Sequence, residues 1–214
     1  MRYPLVIFDL DGTLADSFPW FLRVVNGVAD KFRFKPIEPG DVESLRRAGS
    51  REILKRLDVP FWKLPAIATH ARALKRAQLE RIPLFPGADA MLRSLSGAGL
   101  TLALVSSDNE ENARRQLGAS AAHFAHFACG ASLFGKAAKF KSIVRRAGAA
   151  PARTIAIGDE VRDIEAARAA GIACAAVAWG YAAPEALAAH APDMMFREMK
   201  DIGQLIGPDT QTAG

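Results

Sequence analysis

Tyr3-Pro4-Leu5-Val6-Ile7-Phe8-Asp9-Leu10-Asp11-Gly12-Thr13 joins a short apolar run to two carboxylates one residue apart. The run Tyr3 to Asp9 lacks polar alternation, which suits a strand covered on both faces. Runs of the same kind recur at Thr101 to Ser106, Thr154 to Gly158 and Ile172 to Ala178. Helical patterns lie between and before the later ones, at Ala88 to Ala98, Glu110 to Leu117, Phe140 to Ala147 and Arg162 to Ala170. Strand alternating with helix predicts an α/β fold with a doubly wound parallel sheet. Such sheets bind ligands beyond the carboxyl ends of their strands, which is where Asp9 and Asp11 fall.

Residues 16–84 break the alternation. They carry amphipathic patterns at Phe21 to Phe32, Arg51 to Leu57 and Ala66 to Ile82 but no strand signal, which predicts an inserted, all-helical subdomain. Ser17 and Pro19 are expected to cap and open its first helix. Pro83, Pro86 and Gly87 mark the return to the sheet. The expected division is a core of residues 1–15 and 84–206, an insertion of 16–83, and a disordered polar tail of 207–214. Trp20, Phe61 and Trp62 are expected in the insertion's core, and Trp179 over an edge of the sheet.

The composition of the 214 residues, half hydrophobic and about a quarter charged, is that of a globular protein. The formal charge of +5 belongs to one segment: residues 16–84 hold 14 Lys plus Arg against 8 Asp plus Glu, and the remainder is nearly balanced. No apolar run approaches the roughly 20 residues that span a bilayer, and the first residues lack the longer apolar region of a secretory signal. A soluble, cytoplasmic protein is expected. Cys129 and Cys174 have no metal-ligand spacing and are expected as free buried thiols. His70, His123, His126 and His190 are dispersed and are assigned no role.

Four signals carry chemistry. Asp9 and Asp11 at a strand end repel each other unless a cation neutralises them, and a hard ion such as Mg²⁺ both does so and accepts phosphate oxygens. Taken alone, the same residues could form a solvated turn. Gly158-Asp159-Glu160-Val161-Arg162-Asp163 repeats the arrangement, with Asp159 at a strand end and Asp163 one helical turn on; its bland reading is helix capping. Ser106-Ser107 offers a hydroxyl and an amide at the third strand end. Lys136, or else Lys139, could neutralise an attacking carboxylate from a loop before a helix.

Taken together and in this order, the four motifs resemble those of the haloacid dehalogenase superfamily of hydrolases, on its phosphoglycolate phosphatase and β-phosphoglucomutase side. The resemblance runs from residue 3 to about residue 206. It implies a Rossmann-like core with a helical cap that closes over the site. It implies Asp9 as the nucleophile that becomes an aspartyl-phosphate and Asp11 as the general acid and later base. Ser106 matches the phosphoryl-binding hydroxyl and Lys136 the third-motif lysine. Mg²⁺ is implied as cofactor, held by Asp9, the backbone carbonyl of Asp11 and Asp159, with Asp163 as a further acid. Ser107 and Arg51 are implied as substrate contacts, Arg51 from the cap segment Gly49-Ser50-Arg51-Glu52-Ile53-Leu54. Here Ala137 follows Lys136 where relatives carry proline, and Ser107 stands where many carry asparagine.

The expected reaction is hydrolysis of a small phosphorylated metabolite, with no nucleic acid or membrane partner. A dehalogenase would not need Asp11, whereas a phosphosugar mutase would use the same site. A noncatalytic anion-binding module would instead rely on a basic face of Arg46, Arg47, Lys55, Arg56, Arg72, Lys75 and Arg76.

Overall fold

A computed structural model describes residues 2–130 and 135–207. The core is a six-stranded, wholly parallel sheet in the order β3-β2-β1-β4-β5-β6. Its strands are β1 (Leu5–Phe8), β2 (Thr101–Val105), β3 (Phe124–Ala128), β4 (Thr154–Gly158), β5 (Ala173–Val177) and β6 (Met194–Phe196). Helices α5 (Ala88–Gly97), α6 (Glu110–Leu117), α7 (Lys136–Arg146), α8 (Val161–Ala170) and α9 (Pro184–Ala189) connect them. Both faces of the sheet are covered, which explains the unbroken apolar runs. Val6, Phe8, Leu102, Leu104, Ile155 and Ile157 pack on one side; Leu5, Ile7, Ala103, Val105 and Ala156 pack with α7 and α8 on the other.

The central strand, β1, lies between β2 and β4. The chain leaves β1 toward β2 and β3, then crosses back to β4, so the crevice opens at the carboxyl end of β1. Two edge strands escape the sequence reading. In β3 the run Phe124-Ala125-His126-Phe127-Ala128 is interrupted by an exposed Ala125 and a half-buried His126, and β6 is three residues long.

The segment between β1 and α5 contains α1 (Phe18–Phe32), α2 (Val42–Arg46), α3 (Ser50–Arg56) and α4 (Leu64–Arg76), with short 3₁₀ turns and no strand. A small core of Val25, Ile37, Leu45 and Leu57 ties these helices together. Several boundaries differ from expectation. The first helix begins with Pro19 in its opening turn, yet Ser17 makes no capping bond; its hydroxyl pairs with Tyr181 Oη at 3.0 Å. The helix expected over 66–82 ends at Arg76, and α7 starts at Lys136, four residues before the predicted Phe140. Trp20 is buried, but against the core of the sheet rather than in the insertion's own small core, and Phe61 and Trp62 are 74% and 79% exposed. They sit on a 3₁₀ turn outside the small core, so helical spacing does not bury them. Trp179 donates from Nε1 to the carbonyl of Thr13 at 3.1 Å and so closes the turn after β1.

Cys174 is buried and Cys129 half-buried, both as free thiols, and burial pushes the Cys129 thiol up to about 12. Of the predicted tail, 208–214 lies outside the described residues. No helix among those described is long and apolar enough to cross a membrane.

Candidate active site

The chain turns immediately after β1. Leu10 carbonyl accepts hydrogen bonds from the amides of Leu14 and Ala15, both at 2.9 Å, and Gly12 sits at φ 77° to permit this tight loop. The loop presents Asp9 and Asp11 at the crevice. Asp9 is buried, and its amide extends the ladder to the carbonyl of Ile157 at 2.9 Å. One Asp9 oxygen accepts from the amide of Leu10 at 2.8 Å, and the other lies 2.6 Å from Lys136 Nζ.

Lys136 opens α7, is itself buried, and also lies 2.6 Å from Asp163 Oδ1. The structure thus brings Lys136 against these acids, whereas Lys139 is half-buried on the following turn. Asp163 does two jobs at once. Its Oδ2 accepts from the amides of Asp159 and Glu160 at 3.1 and 3.0 Å, capping α8, while Oδ1 holds the lysine. Asp163 thus both caps α8 and contacts Lys136.

Asp159 is fully buried between two glycines; a Cβ on either Gly12 or Gly180 would collide with its carboxyl. Its oxygens accept from Thr13 Oγ1 and the amide of Tyr181, each at 2.8 Å. Ser106, at the end of β2, is buried and accepts from the amide of Asp108 at 3.1 Å. Ser107 is exposed, and its carbonyl lies 3.4 Å from an Arg72 guanidinium nitrogen. Arg51 is also exposed; it lines a groove within the insertion with Leu54, Phe61 and Leu64, whereas its neighbour Ser50 donates to Glu160 at 3.3 Å.

Electrostatics follow from this packing. Burial pushes the Asp9 carboxyl up to about 6; the Lys136 charge pulls it back, and Asp163 pushes it up again. Burial also holds Asp159 well above the usual carboxylate range, with Glu160, Asp163 and Asp9 adding repulsion. Burial acts upward on Asp163 too, but Lys136 and Arg162 outweigh it and keep that acid low. Lys136 stays charged although burial opposes it, because Asp163 and Asp9 hold its ammonium above the ordinary lysine range. Oxygens of Asp9, Asp159 and Asp163 lie within 4.8 Å of one another. An all-oxygen, acid-rich set in which two carboxylates resist ionisation suits a hard divalent cation.

A model of the family described as haloacid dehalogenase-like hydrolase matches residues 6–177. The chain belongs to the haloacid dehalogenase-like hydrolase family. Among curated proteins, a phosphoglycolate phosphatase of Synechococcus elongatus is 33% identical over 209 residues, covering 94% of this chain and 96% of that protein. A phosphoglycolate phosphatase of Xanthomonas campestris is 34% identical over 199 residues, covering 85% and 86%. A solved structure of a haloacid dehalogenase-like hydrolase from Streptococcus pneumoniae shares the fold with a TM-score of 0.78 at 19% identity, covering 96% and 99%.

Two residues that meet in this hydrolase's crevice, Lys75 and Asp108, were not among the predicted site residues. Lys75, from α4 of the insertion, is only 4% exposed; its Nζ lies 2.7 Å from both oxygens of Asp11 and 3.1 Å from Asp108 Oδ2. Burial opposes the Lys75 charge, but Asp11 and Asp108 together raise its affinity for the proton. A signal did exist: Lys75 follows Ile67 and Ala71 at intervals of four, which places a cation on the inward stripe of the helix. Four residues of the basic set have partners of their own. Lys75 points inward, Arg46 donates to the carbonyls of Tyr181 and Gly180, and Arg56 and Arg76 pair with Glu52 and Glu111.

Proposed function

We propose that this hydrolase is a Mg²⁺-dependent phosphatase of small phosphomonoesters, with phosphoglycolate as first candidate substrate and residues 16–83 as a cap over the site. The observation that carries the reading is the position of Asp9. It is a buried carboxylate at the switch point of the sheet, 2.6 Å from Lys136 and grouped with Asp159.

A carboxylate oxygen of Asp9 attacks phosphorus and the ester P–O bond breaks. Asp11 gives its proton to the leaving alkoxide, so the products of this half are an alcohol and an aspartyl-phosphate. In the second half water attacks the same phosphorus, Asp11 takes the water's proton, and Asp9 is released with inorganic phosphate. Ser106 Oγ and the Lys136 ammonium bind the oxygens of the transferring group. Asp163 holds Lys136 in place. Asp9, Asp159 and the Asp11 carbonyl would hold the metal ion, which when bound offsets the charges of nucleophile and phosphate. Relatives named phosphoglycolate phosphatase support the substrate class.

The test is phosphate release from a panel of alkyl, sugar and nucleotide phosphates, with Mg²⁺ and then with chelator. The expected result is release that needs Mg²⁺ and is lost in a folded Asp9→Asn variant by at least about a thousandfold. Undiminished release by Asp9→Asn would overturn the mechanism.

A further inference from the structure

The peptide unit between Gly180 and Tyr181 is held at both ends. Its N–H, on Tyr181, donates to Asp159 Oδ2 at 2.8 Å, and its carbonyl, on Gly180, accepts from Arg46 Nη2 at 3.1 Å. A trans peptide is planar, with N–H and C=O pointing in opposite directions, so whatever fixes one end aims the other. A carbonyl bonded to a guanidinium also polarises its own peptide and strengthens the N–H as a donor. Arg46 thereby reaches Asp159 through one rigid unit.

Glycine at position 180 explains why such a hold is needed. A Cβ there would collide with the Asp159 side chain. The same glycine leaves the backbone free to turn its peptide away from the carboxylate unless something restrains it. Arg46 restrains it twice, since Nε donates to the Tyr181 carbonyl at 3.0 Å while Nη2 holds the Gly180 carbonyl. A planar guanidinium can span successive carbonyls in this way; a lysine ammonium, a point charge, cannot. The arginine is itself fixed. Its guanidinium lies 5.3 Å over the Phe18 ring, Nη1 donates to Glu43 at 3.1 Å, and its own carbonyl accepts from the amide of Ala183 at 2.8 Å. The Tyr181 ring meets Phe18 edge-on, with centroids 5.0 Å apart.

We infer that Arg46 is a positioning residue for Asp159: by holding the Gly180–Tyr181 peptide it keeps that carboxylate in one orientation, and so raises the protein's affinity for Mg²⁺ from α2 of the insertion. The inference rests on the Mg²⁺-dependent reading above. The two Asp159 oxygens are oriented from different sides, Oδ1 by Thr13 Oγ1 and Oδ2 by this amide, each at 2.8 Å. Removing a group that orients a metal ligand typically lowers metal affinity by about 10- to 100-fold. Loss of Arg46 leaves the amide present but unrestrained, so the lower end of that range applies.

The test is titration calorimetry of the full chain with Mg²⁺, paired with phosphate release as a function of Mg²⁺ concentration. Arg46→Met should weaken Mg²⁺ binding by about tenfold. The Mg²⁺ concentration for half-maximal phosphate release should rise by the same factor, with kcat at saturating Mg²⁺ within about twofold of wild type. A merely structural role would lower kcat at every Mg²⁺ concentration and leave the Mg²⁺ dependence in place. Arg46→Lys keeps the charge but grips one carbonyl in place of two, and should lose about threefold; it carries the test if Arg46→Met does not fold. Glu43→Gln, which removes the guanidinium's exposed partner, should bind Mg²⁺ as wild type does; an equal loss there would trace the effect to surface charge and overturn the inference. Equal Mg²⁺ affinity in wild type and the Arg46 variants overturns this inference alone. A folded wild type that binds no Mg²⁺ overturns the Mg²⁺-dependent reading, and this inference with it.

Discussion

The crevice contains two ammonium bridges of the same design in different surroundings. Lys136 lies 2.6 Å from both Asp9 and Asp163, and the three residues stand just after β1, on α7 and on α8 of the sheet domain. Lys75 joins Asp11 and Asp108, but it arrives from α4 of the insertion and meets loops that follow β1 and β2. The first bridge is part of the core and forms whenever the sheet forms. The second exists only when insertion and core are in contact. Neighbouring contacts reinforce the crossing, with Arg46 reaching the carbonyls of Gly180 and Tyr181 and Ser50 reaching Glu160. On the phosphatase reading proposed above, nucleophile and phosphate neutralisation would belong to the sheet domain, and the contact to the proton donor would come from the insertion.

The largest effect that would test this contrast is Lys136→Met. It leaves Asp9 and Asp163 buried without their shared cation, at a cost of about 3 to 5 kcal/mol in folding. Denaturant unfolding should show a loss of that size through the whole sheet, with activity lost as well. A loss confined to the insertion helices would break the assignment of this bridge to the core.

Next in size is a coupling between metal and pH. Burial holds Asp9 near 6, above its value in the unfolded chain, so the metal-free native state binds this proton more tightly. The stability it contributes is full below about pH 4 and lost as pH rises through about 6. Mg²⁺ favours the ionised form, so its stabilisation of the protein, read as the shift in Tm, should grow from about pH 5 to about pH 7. A shift independent of pH would place the metal away from Asp9.

The smallest is Gly180→Ala. The added methyl would meet Asp159, buried between Gly12 and Gly180, and should cost about 1 to 3 kcal/mol while weakening Mg²⁺ binding measured by calorimetry. Unchanged affinity would mean that Asp159 needs no such cradle.

The sequence is most readable where one residue's neighbours in the chain are also its neighbours in space. Asp9, Asp11, Asp159 and Asp163 sit at strand ends or in the first turn of a helix, so local pattern and site coincide. Lys136 could not be told from Lys139 because the choice depends on where α7 begins, and helix starts are poorly marked when no capping side chain is present. Lys75 looked like one more charge among Arg72 and Arg76; only the packing of α4 against two loops shows that it is buried against Asp11 and Asp108. Phe61 and Trp62 failed in the opposite sense, since apolar character does not compel burial at a turn outside the core. Edge strands β3 and β6 were lost because a histidine interrupts the apolar run of one and the other is too short to register as a run.

The central claim is that phosphorus passes through Asp9. The most direct measurement is intact-protein and peptide mass spectrometry of an Asp11→Asn variant, quenched in acid after mixing with Mg²⁺ and para-nitrophenyl phosphate. The leaving group needs no proton, so the first half should run and the second should stall, leaving one phosphoryl group on the peptide that contains Asp9. Nitrophenolate release without any phosphorylated protein, or with the phosphoryl group on another residue, would contradict the account.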